Sequence, residues 1–367
     1  MNYLGRSDFD HGARPAAAVV LVNLGTPDAA DTPSVRRYLA EFLADPRVVE
    51  LPRWQWWPIL HGIILRIRPR RSAHAYQQVW TERGSPLMWH SDALASAVSD
   101  KLSQVASGPI LIRNAMRYGR PALGTILREL QAANVRRILV LPMYPQYSGT
   151  TTGSVFDALA AELTTWRWLP ELGFVSDYYR HPGYADAIAD SVRRHWAAQG
   201  RRHLLFSFHG IPERYLHAGD PYHCQCHGTA RRVAERLGLG ERDWTIAFQS
   251  RVGREPWLRP YTDETLAALP AQGVRAVDVI CPGFAVDCLE TLEEIAVENR
   301  DRFLQAGGEH YGYIPCLNAS DEHASLVAQL VRERCTHWPE FSAAAMQEET
   351  AARPLVVARY RKLSGKD

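Results

Sequence analysis

Short apolar runs rich in β-branched residues alternate with longer amphipathic stretches along almost the whole chain, and few folds satisfy that order. Strand-like Ala17 to Asn23, Pro109 to Arg113 and Arg137 to Pro142 are interleaved with helix-like Ser34 to Leu43 and Leu123 to Ala133. The order resumes with helix-like Phe156 to Trp166, strand-like Gly173 to Ser176, helix-like Tyr184 to Ala198, strand-like His203 to Phe208 and helix-like Ala230 to Leu237. Strand-like Thr245 to Gln249 and Ala276 to Ile280 then precede helix-like Cys288 to Phe303. Strands covered on both faces read as unbroken apolar runs, so this pattern predicts an α/β fold of parallel sheets flanked by helices. A single core stops growing at about 250 to 300 residues, and a chain of 367 residues is therefore expected to form two such lobes.

The boundary is placed near residue 178, giving a first lobe over 1–178, a second over 179–320, and a terminal segment over 321–367. In that segment the apolar stretch His323 to Arg332 reads as a helix returning to the first lobe, and the charged tail beyond Pro354 as loosely held. No repeat with a period of about 20 to 50 residues and no low-complexity linker is present. The lobes are expected to dock closely.

Composition narrows the function. With 46% apolar residues the chain fills full-sized cores, and a net charge of +2 is too small to wrap a polyanion, which argues against nucleic acid as a partner. The six cysteines, Cys224, Cys226, Cys281, Cys288, Cys316 and Cys335, all lie in the second half, so no disulfide framework spans the chain and a reducing compartment is expected. The polar first fifteen residues show no export pattern, and the longest early apolar run, Ala16 to Leu24, is about half of a ~20-residue bilayer span. A cytoplasmic location follows. One segment is unusual: Trp54, Trp56, Trp57, Ile59, Leu60, Ile63, Ile64, Leu65 and Ile67 crowd beside Arg66, Arg68, Arg70 and Arg71. That composition suits a core helix with a snorkelling basic end, or the lip of a greasy pocket that rests on a membrane surface.

In parallel α/β sheets ligands bind beyond the carboxyl ends of the strands. Three such loops are dense in unusual residues: Met143 to Ser154, Ser207 to Asp220 and Cys281 to Glu290. None carries a dinucleotide or P-loop motif, although SGTTTGS can cap a helix and hold an anionic group. His209 follows an apolar strand and precedes Gly210, a place from which imidazole takes a proton, binds a metal, or simply bonds to loop backbone. Downstream, Glu290, Glu294 and Glu298 fall within about 80° of helical arc over about 12 Å, either as a solvated acidic face or as a ladder that passes protons or a hard divalent cation. Cys224 and Cys226, beside His223 and His227, lack the spacing of a structural zinc site and read as free thiols.

The motifs LVNLGTPD, GSPL, MRYGRP, YPQYSGTTTGS, SFHGIPERY, GDPY, FQSRVGREPWLRPYTDE and CPGFAVDCLETLEEI occur in this order between about residues 16 and 335. Together they resemble the ferrochelatase family. The resemblance implies two similar Rossmann-like lobes with the active site between them, and insertion of Fe2+ into protoporphyrin IX with release of two protons. It implies that His209 and Glu290 are the catalytic and metal-binding pair, with Glu294 and Glu298 continuing as a relay on a locally π-wound helix. Arg117, Tyr118 and Trp257 resemble residues lining the porphyrin pocket, and Arg68, Arg71, Tyr76 and Ser85 fall where relatives hold propionates, within a lip over about 51–90. Cys288 replaces a histidine that some relatives carry after the aspartate. With no cysteine following Cys335, no carboxyl-terminal [2Fe-2S] cluster is expected, nor any cofactor beyond substrate iron. The apolar lip favours protoporphyrin over coproporphyrin and suggests transient docking to the inner membrane. A coproporphyrin or cobalt chelatase and a non-catalytic haem carrier are the competing readings.

Overall fold

The computed structural model describes residues 3–5, 9–10, 12–253 and 255–364. Two four-stranded sheets carry the chain. The first contains β1 (Ala16–Thr26), β2 (Ile110–Gly119), β3 (Val135–Pro142) and β4 (Glu171–Phe174), in the order β2-β1-β3-β4. The second contains β5 (His203–His209), β6 (Trp244–Gln249), β7 (Ala276–Ile280) and β8 (His310–Ile314), in the order β6-β5-β7-β8. Every pairing is parallel, and the two lobes share one Rossmann-like topology. The central strands end alike: β1 runs into Leu24, Gly25, Thr26 and Pro27, and β5 into His209, Gly210, Ile211 and Pro212.

Side chains of β1 alternate between two cores, as the two-residue period of a strand requires. Ala18, Val20 and Val22 pack with Leu127 and Leu159 of the helices Leu123–Ala132 and Ser154–Leu163. Ala17, Val19 and Leu21 belong instead to a core that also contains Leu204, Phe206 and Phe208 of β5. One apolar core therefore runs through both lobes and holds them together. Gly25 is required where β1 meets β2: its φ is +117°, and a Cβ there would lie 1.8 Å from the Tyr118 carbonyl oxygen.

Four elements depart from the sequence reading. The strand β8 and the helix Pro86–Ser103 carry no clear periodic signal. That helix packs between its sheet and the Asp321–Cys335 helix, so it buries Ser91 along with Leu94 and Val98 and shows little contrast between its faces. The tryptophan-rich segment is no core helix: Trp54, Ile63 and Ile67 are 76%, 53% and 70% exposed, while Leu60 and Leu65 anchor it from beneath. The charged tail is helical from Ala343 to Ser364, and Arg353 donates to the Gly12 carbonyl at 2.8 Å.

The Asp321–Cys335 helix packs on both the Pro86–Ser103 and the Pro182–Gln199 helices. Lys101 and Asp321 pair at 2.6 Å, and the buried Glu340 carboxylate accepts from Arg137 of β3.

Candidate active-site cleft

His209 is the last residue of β5. Its Nδ1 lies 2.6 Å from the Gly210 carbonyl oxygen; a carbonyl only accepts, so Nδ1 carries the proton and Nε2 keeps the lone pair. Burial holds the imidazole below its ordinary pKa, with Glu290 and the Gly210 carbonyl opposing that shift. The ring sits between Trp257 and Phe284, at centroid distances of 6.3 and 6.4 Å. Trp257 Nε1 is buried with no hydrogen-bond partner among the described residues. Gly210 must stay small, since a Cβ would lie 3.0 Å from the Gln249 carbonyl oxygen and 3.1 Å from the Trp257 ring.

Glu290 opens a π-helix, Glu290–Asn299, that continues into the Arg300–Gln305 helix. The backbone carbonyl of Glu290 accepts from the Gln249 side-chain amide at 2.9 Å. Its carboxylate is close enough to His209, Arg68, Tyr76 and Tyr38 to bias the protonation of each, and with burial it pushes the Cys288 thiol up. The position that carries histidine in some relatives thus carries a buried thiol within the field of Glu290.

Glu294 follows on the same π-helix. Ser250 donates to it from its backbone N–H at 2.7 Å and from its hydroxyl. Burial raises the Glu294 carboxyl to about 7, against the pull of the two Ser250 bonds and with help from the Glu290 and Glu298 charges. Glu298 is exposed and paired with Arg302 at 2.8 Å. The three carboxylates thus run from a half-buried position near His209 out to solvent.

The remaining sequence-selected residues divide into two groups. Arg68 is half-buried beside Glu290, and Arg71 is exposed near Glu293. Ser85 accepts from the Thr26 hydroxyl at 2.8 Å, and Tyr76 is buried close to Thr26 and Glu290. Arg117 and Tyr118, by contrast, share one carboxylate partner. Tyr118 is fully buried and donates to Asp45 at 2.8 Å; Arg117 pairs with the same carboxylate at 2.5 Å and stacks 4.5 Å over the Tyr118 ring. Ser154 also donates to Asp45, at 2.6 Å. Burial pushes the Asp45 carboxyl up, and these hydrogen bonds outweigh it and leave it below its usual value. Both side chains are thus held by one buried carboxylate, with Tyr118 fully buried and Arg117 partly exposed.

Sequence reasoning missed Ser250, Asp45 and the tyrosines Tyr38 and Tyr144. Tyr144 lies near Glu290, Cys288 and Arg117, and its buried hydroxyl has no hydrogen-bond partner among the described residues. The anionic group expected at SGTTTGS proves to be the protein's own: Asp220 of the second lobe accepts from the Gly149 N–H at 2.7 Å and the Ser148 hydroxyl at 2.9 Å.

A family model described as Ferrochelatase matches residues 16–335. The chain is 54% identical to the ferrochelatase of Thioalkalivibrio sulfidiphilus over 341 residues, covering 93% of this chain and 92% of that one. It is 53% identical to that of Nitrosococcus oceani over 351 residues, covering 95% of each. Among solved structures, SirB from Bacillus subtilis with Fe3+ superposes with a TM-score of 0.52 at 10% identity, covering 89% of this chain and 98% of that one. That likeness concerns the fold.

Proposed function

The chain belongs to the ferrochelatase family, a lyase that inserts Fe2+ into protoporphyrin IX in haem synthesis, and from that premise we propose how its own residues carry the reaction. The observation that carries the proposal is the series His209, Glu290, Glu294, which joins a neutral imidazole to a carboxyl that titrates at about 7. Free-base porphyrin must lose two pyrrole protons as iron approaches. His209 takes a pyrrole proton at Nε2, because its Nδ1 is committed to the Gly210 carbonyl. Glu290 receives iron from the relay and stabilises the imidazolium that forms. Glu294 gains and loses a proton readily at neutral pH, and passes it toward Glu298 and solvent.

Trp257 and Phe284 form an apolar wall on which a bent macrocycle rests, and favouring the bent form favours the transition state over the flat substrate. Arg68, Arg71, Tyr76 and Ser85 hold the propionates at the lip. Arg117 and Tyr118 line the pocket from the first lobe, held in place by Asp45. The function needs no resident cofactor and no [2Fe-2S] cluster.

Among the described residues no helix is long and apolar enough to cross a membrane. The exposed Trp54, Trp57, Ile63 and Ile67, with Arg66 and Arg70 also exposed, suit peripheral docking of a cytoplasmic enzyme on an anionic inner-membrane surface, where a poorly soluble porphyrin is exchanged.

The test is anaerobic: protein at substoichiometric concentration is mixed with protoporphyrin IX and ferrous iron, and loss of free-base fluorescence is followed. Multiple turnovers are expected, with His209→Ala and Glu290→Gln nearly inactive yet still folded and able to bind porphyrin. Wild-type-like turnover in either variant removes that residue from the mechanism.

A further inference from the structure

His223 and His227 lie outside the cleft chemistry, in the first two turns of the Tyr222–Leu237 helix. Residues four apart share a helix face, and here the two imidazoles do: their centroids are 4.5 Å apart and their planes 48° to one another. Both rings lean on Phe248 of β6, at 5.6 and 6.3 Å. Packing therefore orders two side chains that would otherwise rotate freely. Among the described residues, neither ring has a hydrogen-bonding partner for its nitrogens. Both are half-buried, and burial keeps both below the ordinary histidine value, His227 further lowered by His223 and Arg231. At neutral pH each ring offers a lone pair.

We propose that His223 and His227 form a second divalent-metal site, distinct from the His209 cleft, for a borderline ion such as zinc or nickel(II). Two imidazoles bound to one tetrahedral ion at about 2.0 to 2.1 Å place their ring centroids about 5 Å apart, so the observed 4.5 Å needs only a small rotation. No group of three or more histidine, cysteine, aspartate or glutamate side chains is gathered for a metal among the described residues. The site is therefore open, with water completing the coordination. Imidazole ligands discriminate against magnesium and calcium, and at a given nitrogen site zinc and nickel bind more tightly than iron(II). The pair thus selects ions that compete with the substrate metal. Phe248 and Gln249 are neighbours in β6 whose side chains take opposite faces of the sheet, so the pair is separated from the Glu290 side by the strand itself.

Equilibrium dialysis of the full chain against zinc tests this, in a Cys224→Ser background so that the exposed thiol cannot account for binding. His223→Gln and His227→Gln are each expected to lose one bound zinc ion per chain, with circular dichroism and the rate of iron insertion unchanged. The same ion is expected to persist in His209→Ala. An unchanged zinc count in both helix variants, or disappearance of the ion with His209→Ala, overturns the proposal.

Discussion

Ser250 holds the Glu294 carboxylate with both its backbone N–H, at 2.7 Å, and its hydroxyl, and it does so from a left-handed backbone with φ of 65°. That conformation is uncommon for a residue with a side chain. It points two donors at one acid that burial would otherwise hold neutral.

The acid's titration gives the first prediction. A carboxyl raised from 4.5 to about 7 in the folded state contributes stability that is fully present below about 4.5 and is lost as pH rises through about 7. Glu294→Gln stays neutral throughout. The stability of that variant relative to the parent should rise between pH 5 and pH 8, as read by urea denaturation at each pH; a difference independent of pH counts against the shifted carboxyl.

Removing the hydroxyl tests the donor. Ser250→Ala keeps the backbone bond but loses one of two interactions favouring the charged form, so the Glu294 pKa should rise further. The pH profile of kcat should move upward with it. Ser250→Gly relieves the left-handed backbone and should be more stable than Ser250→Ala by about 0.5 to 1 kcal/mol. A profile that does not move in either variant shows that Glu294 titration does not limit turnover.

Asp220 ties the second lobe to the Gly149–Gly153 turn of the first. Asp220→Ala leaves the Gly149 N–H and the Ser148 hydroxyl without their acceptor and should destabilise the protein by about 1 to 3 kcal/mol. Asp220→Asn retains one acceptor oxygen and should fall between variant and parent. Denaturant midpoints measure both.

Glu340 and Arg137 form a pair with 3% and 13% of their side chains exposed. Removing one partner strands the other charge, so Arg137→Ala should lose about 3 to 5 kcal/mol. The double change Arg137→Met with Glu340→Leu should recover most of that loss. Equal destabilisation of the single and double variants would show that packing rather than charge holds the terminal segment.

Trp54→Ser combined with Ile67→Ser alters only exposed apolar surface. Thermal stability should stay within about 0.5 kcal/mol of the parent, while cosedimentation with vesicles containing anionic lipid should fall. Unchanged cosedimentation excludes the lip as the docking surface.

The sheets and most helices are legible in the sequence because buried parallel strands and amphipathic helices leave periodic signatures. The helix Pro86–Ser103 is not, since it is covered on more than one side and buries Ser91, which donates no pattern but accepts from Asn23 at 3.3 Å. At the site, His209 and the glutamates stand out by residue type and spacing. Ser250 does not, because its role depends on a backbone dihedral that no neighbouring residue announces. Asp45 is equally silent: its partners Arg117, Tyr118 and Ser154 lie 72, 73 and 109 residues away and meet it only once the first sheet has formed.

The matching ends of β1 and β5 have a consequence for how an ion can be approached. The same topological corner carries imidazole in one lobe and, at Leu24, plain hydrocarbon in the other. A side chain without a donor atom offers a metal nothing. Although the scaffold is duplicated, the paired corners are chemically one-handed: in the proposed reaction only the second lobe's corner can take a proton or hold an ion, and the first can only shape the space around it.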